Sequence, residues 1–383
     1  MHIDQNYTRE TLIRLVQSNS INPTLVPGAP GEGAIAAFIA SSLKSLGLEV
    51  ETFEPEPGRT TVLGRRRGTG GGRSLMFNAH CDTVDVAGMA EPFSGAVRDG
   101  RVYGRGSFDM KGSLAAQMGA AKALADAKIQ LRGDVLVAAV ADEEYGSLGT
   151  ADLIQRVKVD GAIVTEPTAL DVCLAHKGYL WIEVEVTGRA AHGSKFNLGI
   201  DANMKMGQFL SKLSGLERDL RSRKPHPLVG PPSLHAATLH GGAGLSTYAP
   251  RCTLRIERRT IPGETEAQAV AEIQSIVDTL ASEDPDFHAT VRAFFVRDPF
   301  EVAPSAQIVQ ALDRAIAKVR GKPAAHLGDT PWMDSALLQA AGVETVVCGT
   351  AGAGAHANEE WVDLESVFKL AEILAETAID YCR

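Results

Sequence analysis

The stretch Ser74-Leu75-Met76-Phe77-Asn78-Ala79-His80-Cys81-Asp82 is an apolar run that ends in a histidine and an aspartate two residues apart. It reads as a short buried strand delivering two polar, metal-capable groups at its carboxyl end. In open α/β sheets that edge is where ligands bind. Neutral imidazole is the commonest metal ligand, and a nearby carboxylate is the usual group that orients it. Cys81, between the two, falls on the opposite strand face and reads as packing.

Outward from this run, strand and helix patterns alternate. Apolar residues recur at helical spacing over Tyr7 to Gln17 and Gly33 to Leu46, and Ser113 to Ala127 is an Ala-rich helix. Leu48 to Phe53 reads as a strand. Asp134 to Ala141 is continuously apolar, as suits a strand buried on both faces, and Gly161 to Thr165 is another such run. The alternation predicts a mostly parallel sheet covered by helices. Near Lys177 the texture changes. Leu180 to Val186 alternates apolar and polar residues. A helix from Ala202 to Leu220, strands at Ser233 to Leu239 and Cys252 to Arg259, a helix at Glu264 to Leu280 and a strand at His288 to Arg297 follow. That order, β-α-β-β-α-β, is the split ferredoxin-like unit. After Pro304 the α/β texture returns, with helices at Ala306 to Val319, Asp334 to Ala341 and Leu364 to Ile379 and a strand at Glu344 to Cys348. The expected architecture is therefore α/β: a mostly parallel, helix-covered sheet domain over 1–177 and 299–383, with a ferredoxin-like α+β domain inserted over 178–298.

Composition agrees with a two-domain globular chain. The 383 residues exceed what one core comfortably fills, and 44% are apolar. A net charge of -9 argues against a nucleic-acid partner, which would need a basic face. No run of about 18 apolar residues suggests a membrane span. The start lacks the basic and apolar regions of a signal peptide. The five cysteines are scattered without C-x-x-C spacing, so no disulfide framework is expected. Cytoplasmic residence is the expectation.

Four more acidic or histidine clusters follow His80 and Asp82. Gly104-Arg105-Gly106-Ser107-Phe108-Asp109 precedes a helix. Asp109 stands where a dinucleotide loop would place its third glycine, so the loop suits a metal better than a phosphate. Asp142-Glu143-Glu144 ends the 134–141 strand, and such a run repels itself unless something cationic sits among it. Glu166 ends the 161–165 strand. His356 lies in the Gly/Ala loop after Cys348, with Glu359 and Glu360 behind it as supporting or simply exposed residues. A lone histidine or acidic pair at a strand end is ordinarily structural. Two histidines with three or four carboxylates at one sheet edge suit two zinc-like ions sharing a carboxylate.

Taken together, the motifs resemble the metallopeptidase and deacylase family of acetylornithine deacetylase, succinyl-diaminopimelate desuccinylase, aminoacylase and carboxypeptidase G. The resemblance covers His-x-Asp, Gly-Arg-Gly-x-x-Asp-x-Lys-Gly, Asp-Glu-Glu, Glu-Pro, Gly-x-Ala-Ala-His-Gly and a late His-x-x-Glu. It implies that Asp109 bridges two metals, with His80 and Glu166 completing one site and Glu144 and His356 the other. Asp82 would orient His80, and Glu143 would be the general base toward a water shared by the metals. The Asp109–Met110 peptide would be cis. In the inserted domain, His192 would stabilise the oxyanion in a partner subunit, which implies a homodimer through that domain. Arg259 matches the arginine that grips a substrate carboxylate. Thr247, in Leu245-Ser246-Thr247-Tyr248, stands where several relatives carry a substrate-contacting asparagine. The implied reaction is cleavage of the amide of an N-acyl-L-amino acid, as in acetylornithine deacetylase. A dipeptidase or carboxypeptidase of the same family is the alternative, and a non-catalytic binding relative is disfavoured because ligands and base are all present. Mixed N/O donors point to zinc, with cobalt or manganese also accepted. Trp332 and Asp334 precede a helix, with Asp334 expected to cap it. His176, His235, His240 and His326 have no claim as ligands.

Overall fold

The computed structural model describes residues 1–383. Two compact units are present. One comprises Met1–Leu174, Val302–Leu327 and Met333–Arg383, and the other Ala175–Glu301 and Gly328–Trp332.

In the first unit, the sheet runs in the order Glu49–Phe53, Thr61–Arg66, Val135–Val140, Leu75–His80, Gly161–Val164, Glu344–Val347 and Val172–His176, the last of which continues into the second unit. Its centre is parallel: Leu75–His80 pairs in parallel with both Val135–Val140 and Gly161–Val164, and Glu344–Val347 in parallel with Gly161–Val164. The outer strands Glu49–Phe53, Thr61–Arg66 and Val172–His176 pair antiparallel. The mostly parallel expectation thus describes the centre, and antiparallel strands close both sides. Every residue of Val135–Val140 and Leu75–His80 is buried, as continuous apolar runs require when helices cover both faces. The Ala-rich helix Gly112–Asp126 packs against Leu364–Tyr381, its small side chains permitting close approach.

This topology positions the site. In the register, His80 lies opposite Val140 and Asn78 opposite Val164. Parallel strands deliver their carboxyl ends to one edge, so Asp82, Asp142 and Glu166 emerge together. A small antiparallel sheet of Ala96–Arg98, Arg101–Tyr103, Trp361–Asp363 and Gly352–Ala353 brackets the loops bearing Asp109 and His356.

The second unit is a four-stranded antiparallel sheet in the order Ser233–Gly241, Arg251–Thr260, Gly178–Thr187, His288–Arg297. Leu180, Ile182, Val184 and Val186 alternate inward and form one core with Phe209 and Leu213 of helix Ala202–Ser222 and Ile273 and Val277 of helix Glu266–Glu283. This is the ferredoxin-like arrangement that the β-α-β-β-α-β order of elements implied. Strand Ser233–Gly241 lies at the edge and is exposed from His235 onward. No helix of the molecule is long and apolar enough to cross a membrane.

Candidate metal centre

The five residues proposed as ligands come together in the first unit. The two oxygens of Asp109 face different histidines: Oδ1 lies 3.1 Å from His80 Nε2 and Oδ2 lies 3.2 Å from His356 Nε2. Glu166 Oε1 is 3.8 Å from His80 Nε2, and Glu144 Oε2 is 3.0 Å from His356 Nε2. Two triads result, His80–Asp109–Glu166 and Asp109–Glu144–His356, each with its potential ligand atoms within 4.8 Å of one another. One imidazole nitrogen and two carboxylate oxygens per triad form a donor set suited to a zinc-like ion. Asp109 is common to both. The Asp109–Met110 peptide is cis. His356 and Asp142 adopt left-handed backbone, with φ of 60° and 69°, a conformation that non-glycine residues adopt mainly where the surroundings enforce it.

The electrostatics describe a cavity with too much negative charge for its own cations. Burial, reinforced by Glu166, raises the Glu143 carboxyl well above the usual carboxylate range. Burial and then Asp109 raise Glu144, and burial raises Glu166 well above its usual range. Hydrogen bonds donated to Asp109 and Glu144 lift the His356 imidazole to about 10. Burial opposes charge on His80 and Asp109, yet hydrogen bonds to Asp109 and then Asp82 raise His80, and hydrogen bonds from His356 and then His80 lower Asp109. Opposite charges within a few ångströms produce such shifts.

Asp82 supports two parts of the site. Its backbone carbonyl lies 3.0 Å from His80 Nδ1, while its carboxylate is 3.6 Å from that nitrogen. The carboxylate accepts hydrogen bonds from the backbone N–H of Glu143 at 3.1 Å and of Glu144 at 3.3 Å. It therefore holds the turn that presents both glutamates. The amide of Asn22 donates to Asp82 at 2.8 Å and to Asp142 at 2.9 Å. Arg59 pairs with Asp142 at 2.8 Å and, through two nitrogens, with Glu32. All of these side chains are buried.

Asn22, Glu32 and Arg59 were not among the residues singled out from the sequence. They are isolated polar residues far along the chain from their partners, with no motif to mark them. Glu360 and Arg105 form a second buried ion pair, 2.7 Å apart. Of the two acids after His356, Glu360 is buried and Glu359 exposed. Asp334 makes no side-chain cap to its six-residue helix. It is buried, and accepts a 2.5 Å hydrogen bond from the Thr150 hydroxyl, an enclosed donor that competes successfully with the helix end.

The remaining candidates lie in the second unit. His192 and Thr247 face each other across an isolated antiparallel bridge. Both are exposed, and His192 Nδ1 lies 2.8 Å from the Ser194 hydroxyl. Arg258 is buried against Glu264 and Glu272. Arg259 is partly exposed, pairs with Glu257 at 2.7 Å and lies 4.8 Å over the Tyr179 ring. Of the two adjacent arginines, Arg259 is therefore the accessible one.

The model of Peptidase family M20/M25/M40 matches residues 76–380. The chain belongs to this family. The M20 match spans the metal centre, both glutamates of the Glu143–Glu144 turn and the whole second unit. An N-formyl-4-amino-5-aminomethyl-2-methylpyrimidine deformylase of Bacillus subtilis is 28% identical over 408 residues, covering 98% of this chain and 95% of the relative. An acetylornithine deacetylase of Myxococcus xanthus is 27% identical over 388 residues, covering 98% and 97%. Among solved structures, the YXEP protein of Bacillus subtilis, a dinuclear metal binding peptidase of the M20 family, superposes with a TM-score of 0.77 at 16% identity, covering 99% of this chain and 98% of that one. Like its family, this chain is a metal-dependent hydrolase of amide bonds.

Proposed function

We propose that the protein hydrolyses the amide of N-acyl-L-amino acids, in the manner of an acetylornithine deacetylase, and that it works as a homodimer through its second unit. The observation that supports the chemistry best is the Asp109 carboxylate, with one oxygen toward His80 and the other toward His356. Two divalent cations held by His80, Asp109, Glu166, Glu144 and His356 would supply Lewis acidity toward the substrate carbonyl and toward water. Zinc fits the mixed donors, and cobalt or manganese would be accepted by similar ones.

The chain's own groups do the rest. Glu143, next to Glu144 but outside both triads, takes the proton of the attacking water and returns it to the leaving nitrogen. Its partly enclosed setting, where burial and Glu166 raise its carboxyl above the usual carboxylate range, suits a group that accepts a proton from water. His192 donates to the oxyanion, and Arg259 holds the substrate carboxylate with paired N–H donors. Thr247, bridged to His192, lines the same recognition loops. Dimerisation is supported by the exposed edge strand Ser233–Gly241 and by the exposed apolar residues Phe196, Met204, Leu239 and Leu245 of the same unit. Unpaired edges of this kind are natural sites for a second copy.

A second reading has its own support. The pyrimidine deformylase relative acts, by its name, on an N-formyl aminomethylpyrimidine. Arg259 sits beside an aromatic surface in which Trp181 stacks on Phe295 with centroids 4.8 Å apart, a setting that also suits a flat heteroaromatic amide. A panel of N-acetyl amino acids, dipeptides and an N-formyl aminomethylpyrimidine decides. Acetate release at the highest kcat/KM supports the deacylase. Preferential cleavage of dipeptides or of the formyl compound overturns it.

A further inference from the structure

We propose that Glu360 is a positioning residue for the metal centre: its carboxylate fixes the Asp109 loop and the His356 loop to a single internal anchor. The inference rests on the metal-centre reading above. Glu360 is 1% exposed, yet both of its oxygens are fully used. Oε1 accepts from the backbone N–H of Phe108 at 2.9 Å and of Asp109 at 3.0 Å. Oε2 accepts from the Gly106 N–H at 3.0 Å and from Arg105 Nη1 at 2.7 Å. The loop leading to Asp109 is thus wound around this carboxylate, much as backbone N–H groups wind around a bound anion. The winding needs Gly106, whose φ is 77° and where an added Cβ would meet Thr83 at 2.7 Å.

The same carboxylate is tied to the His356 side. Arg105 Nη2 donates to the carbonyl of Ala357 at 3.0 Å, and Arg105 Nε to the carbonyl of Asp85 at 2.8 Å. The backbone of Glu360 accepts from Gly104 at 3.1 Å, and Trp361 pairs with Tyr103 in the small sheet. Asp109 can face both histidines only in one orientation, because each of its oxygens is committed to a different ring. Glu360 sets that orientation at the Asp109 amide, while Arg105 holds the carbonyl next to His356. Neither residue is within either triad, and both act through the residues they hold.

The conservative change Glu360→Gln keeps the shape but turns an NH2 toward N–H donors. The test is calorimetric titration of chelator-stripped protein with zinc. Wild-type protein and Glu359→Gln, altered at an exposed neighbour, should bind two equivalents alike. Glu360→Gln should lose about 10–100-fold in zinc affinity, the range for groups that orient ligands. Arg105→Lys retains the charge and loses the fork to Ala357, so it should weaken one equivalent more than the other, and it serves if Glu360→Gln does not fold. Wild-type affinities in Arg105→Lys, or in a folded Glu360→Gln, overturn the inference and leave the metal-centre reading intact. A wild type that binds no zinc overturns that reading, and the inference falls with it.

Discussion

Around Asp109 the five candidate ligands face one another, and all but His356 are largely shut away from solvent. Around His192 the picture reverses: the ring meets the Ser194 hydroxyl, and its neighbours Phe196 and Leu245 are 81% and 109% exposed. One region belongs to the first unit and the other to the second. The contrast separates two tasks. A centre that holds cations and activates water needs groups fixed beforehand in a dry cavity, where electrostatic interactions are strong. Loops that recognise a substrate or a second subunit must present unsatisfied surface until the partner arrives. The five candidate ligands of the first region all come from this chain, whereas the second region is proposed to be completed by another copy.

Four substitutions would break or sharpen this contrast. The largest effect is expected at the centre. Glu143→Gln should lower kcat by about 10²–10⁴, the usual contribution of a general base, with zinc content unchanged; preserved turnover would remove Glu143 from the mechanism. Arg59→Ala should destabilise the fold by about 3–5 kcal/mol, because it leaves Glu32 and Asp142 buried without their cation. Urea denaturation reads this directly, and a loss under 1 kcal/mol would show that the network around Asn22 and Asp82 does not depend on Arg59.

On the exposed side, His192→Ala should cost about 10²–10³ in kcat, as removal of one oxyanion donor does, with melting temperature and metal content unaltered. Mixing His192→Ala with Glu143→Gln protein tests action between subunits, since hybrid dimers would contain one intact site and regain activity. Inactive mixtures with verified exchange would place His192 in its own chain's site or outside the chemistry. The smallest effect is expected for Arg259→Ala. Loss of a charge-assisted hydrogen bond of about 1.5–3 kcal/mol should raise KM for N-acetyl amino acids about 10–100-fold and leave an uncharged N-formyl amide unaffected. Equal losses on both substrates would deny Arg259 a carboxylate-binding role.

The two regions also differed in how far the sequence disclosed them. The strand ends were legible because continuous apolar runs such as Val135–Val140 imply a buried parallel sheet, and a parallel sheet gathers its carboxyl ends at one edge. His80, Asp109, Glu144, Glu166 and His356 were therefore readable as one cluster, and the family resemblance supplied their division into two triads. The supporting network was not legible. Asn22 reaches Asp82 and Asp142, and Arg59 reaches Glu32, across separations that no local period encodes. Glu360 looked like one of two equivalent acids after His356, because burial depends on a sheet whose strands are two or three residues long. Strands that short carry no alternation to read. Asp334 looked like a helix cap, and the nearby Thr150 hydroxyl took its place as partner.

We propose a dinuclear deacylase whose two metal sites share Asp109. The most direct test is the rate of acetate release from an N-acetyl amino acid as zinc is added stepwise to chelator-stripped protein. The account predicts negligible activity without metal, a rise that saturates at two equivalents per chain, and loss of the second equivalent's effect in His356→Ala. Activity that survives stripping, or that saturates at one equivalent with His356→Ala unchanged, would contradict it.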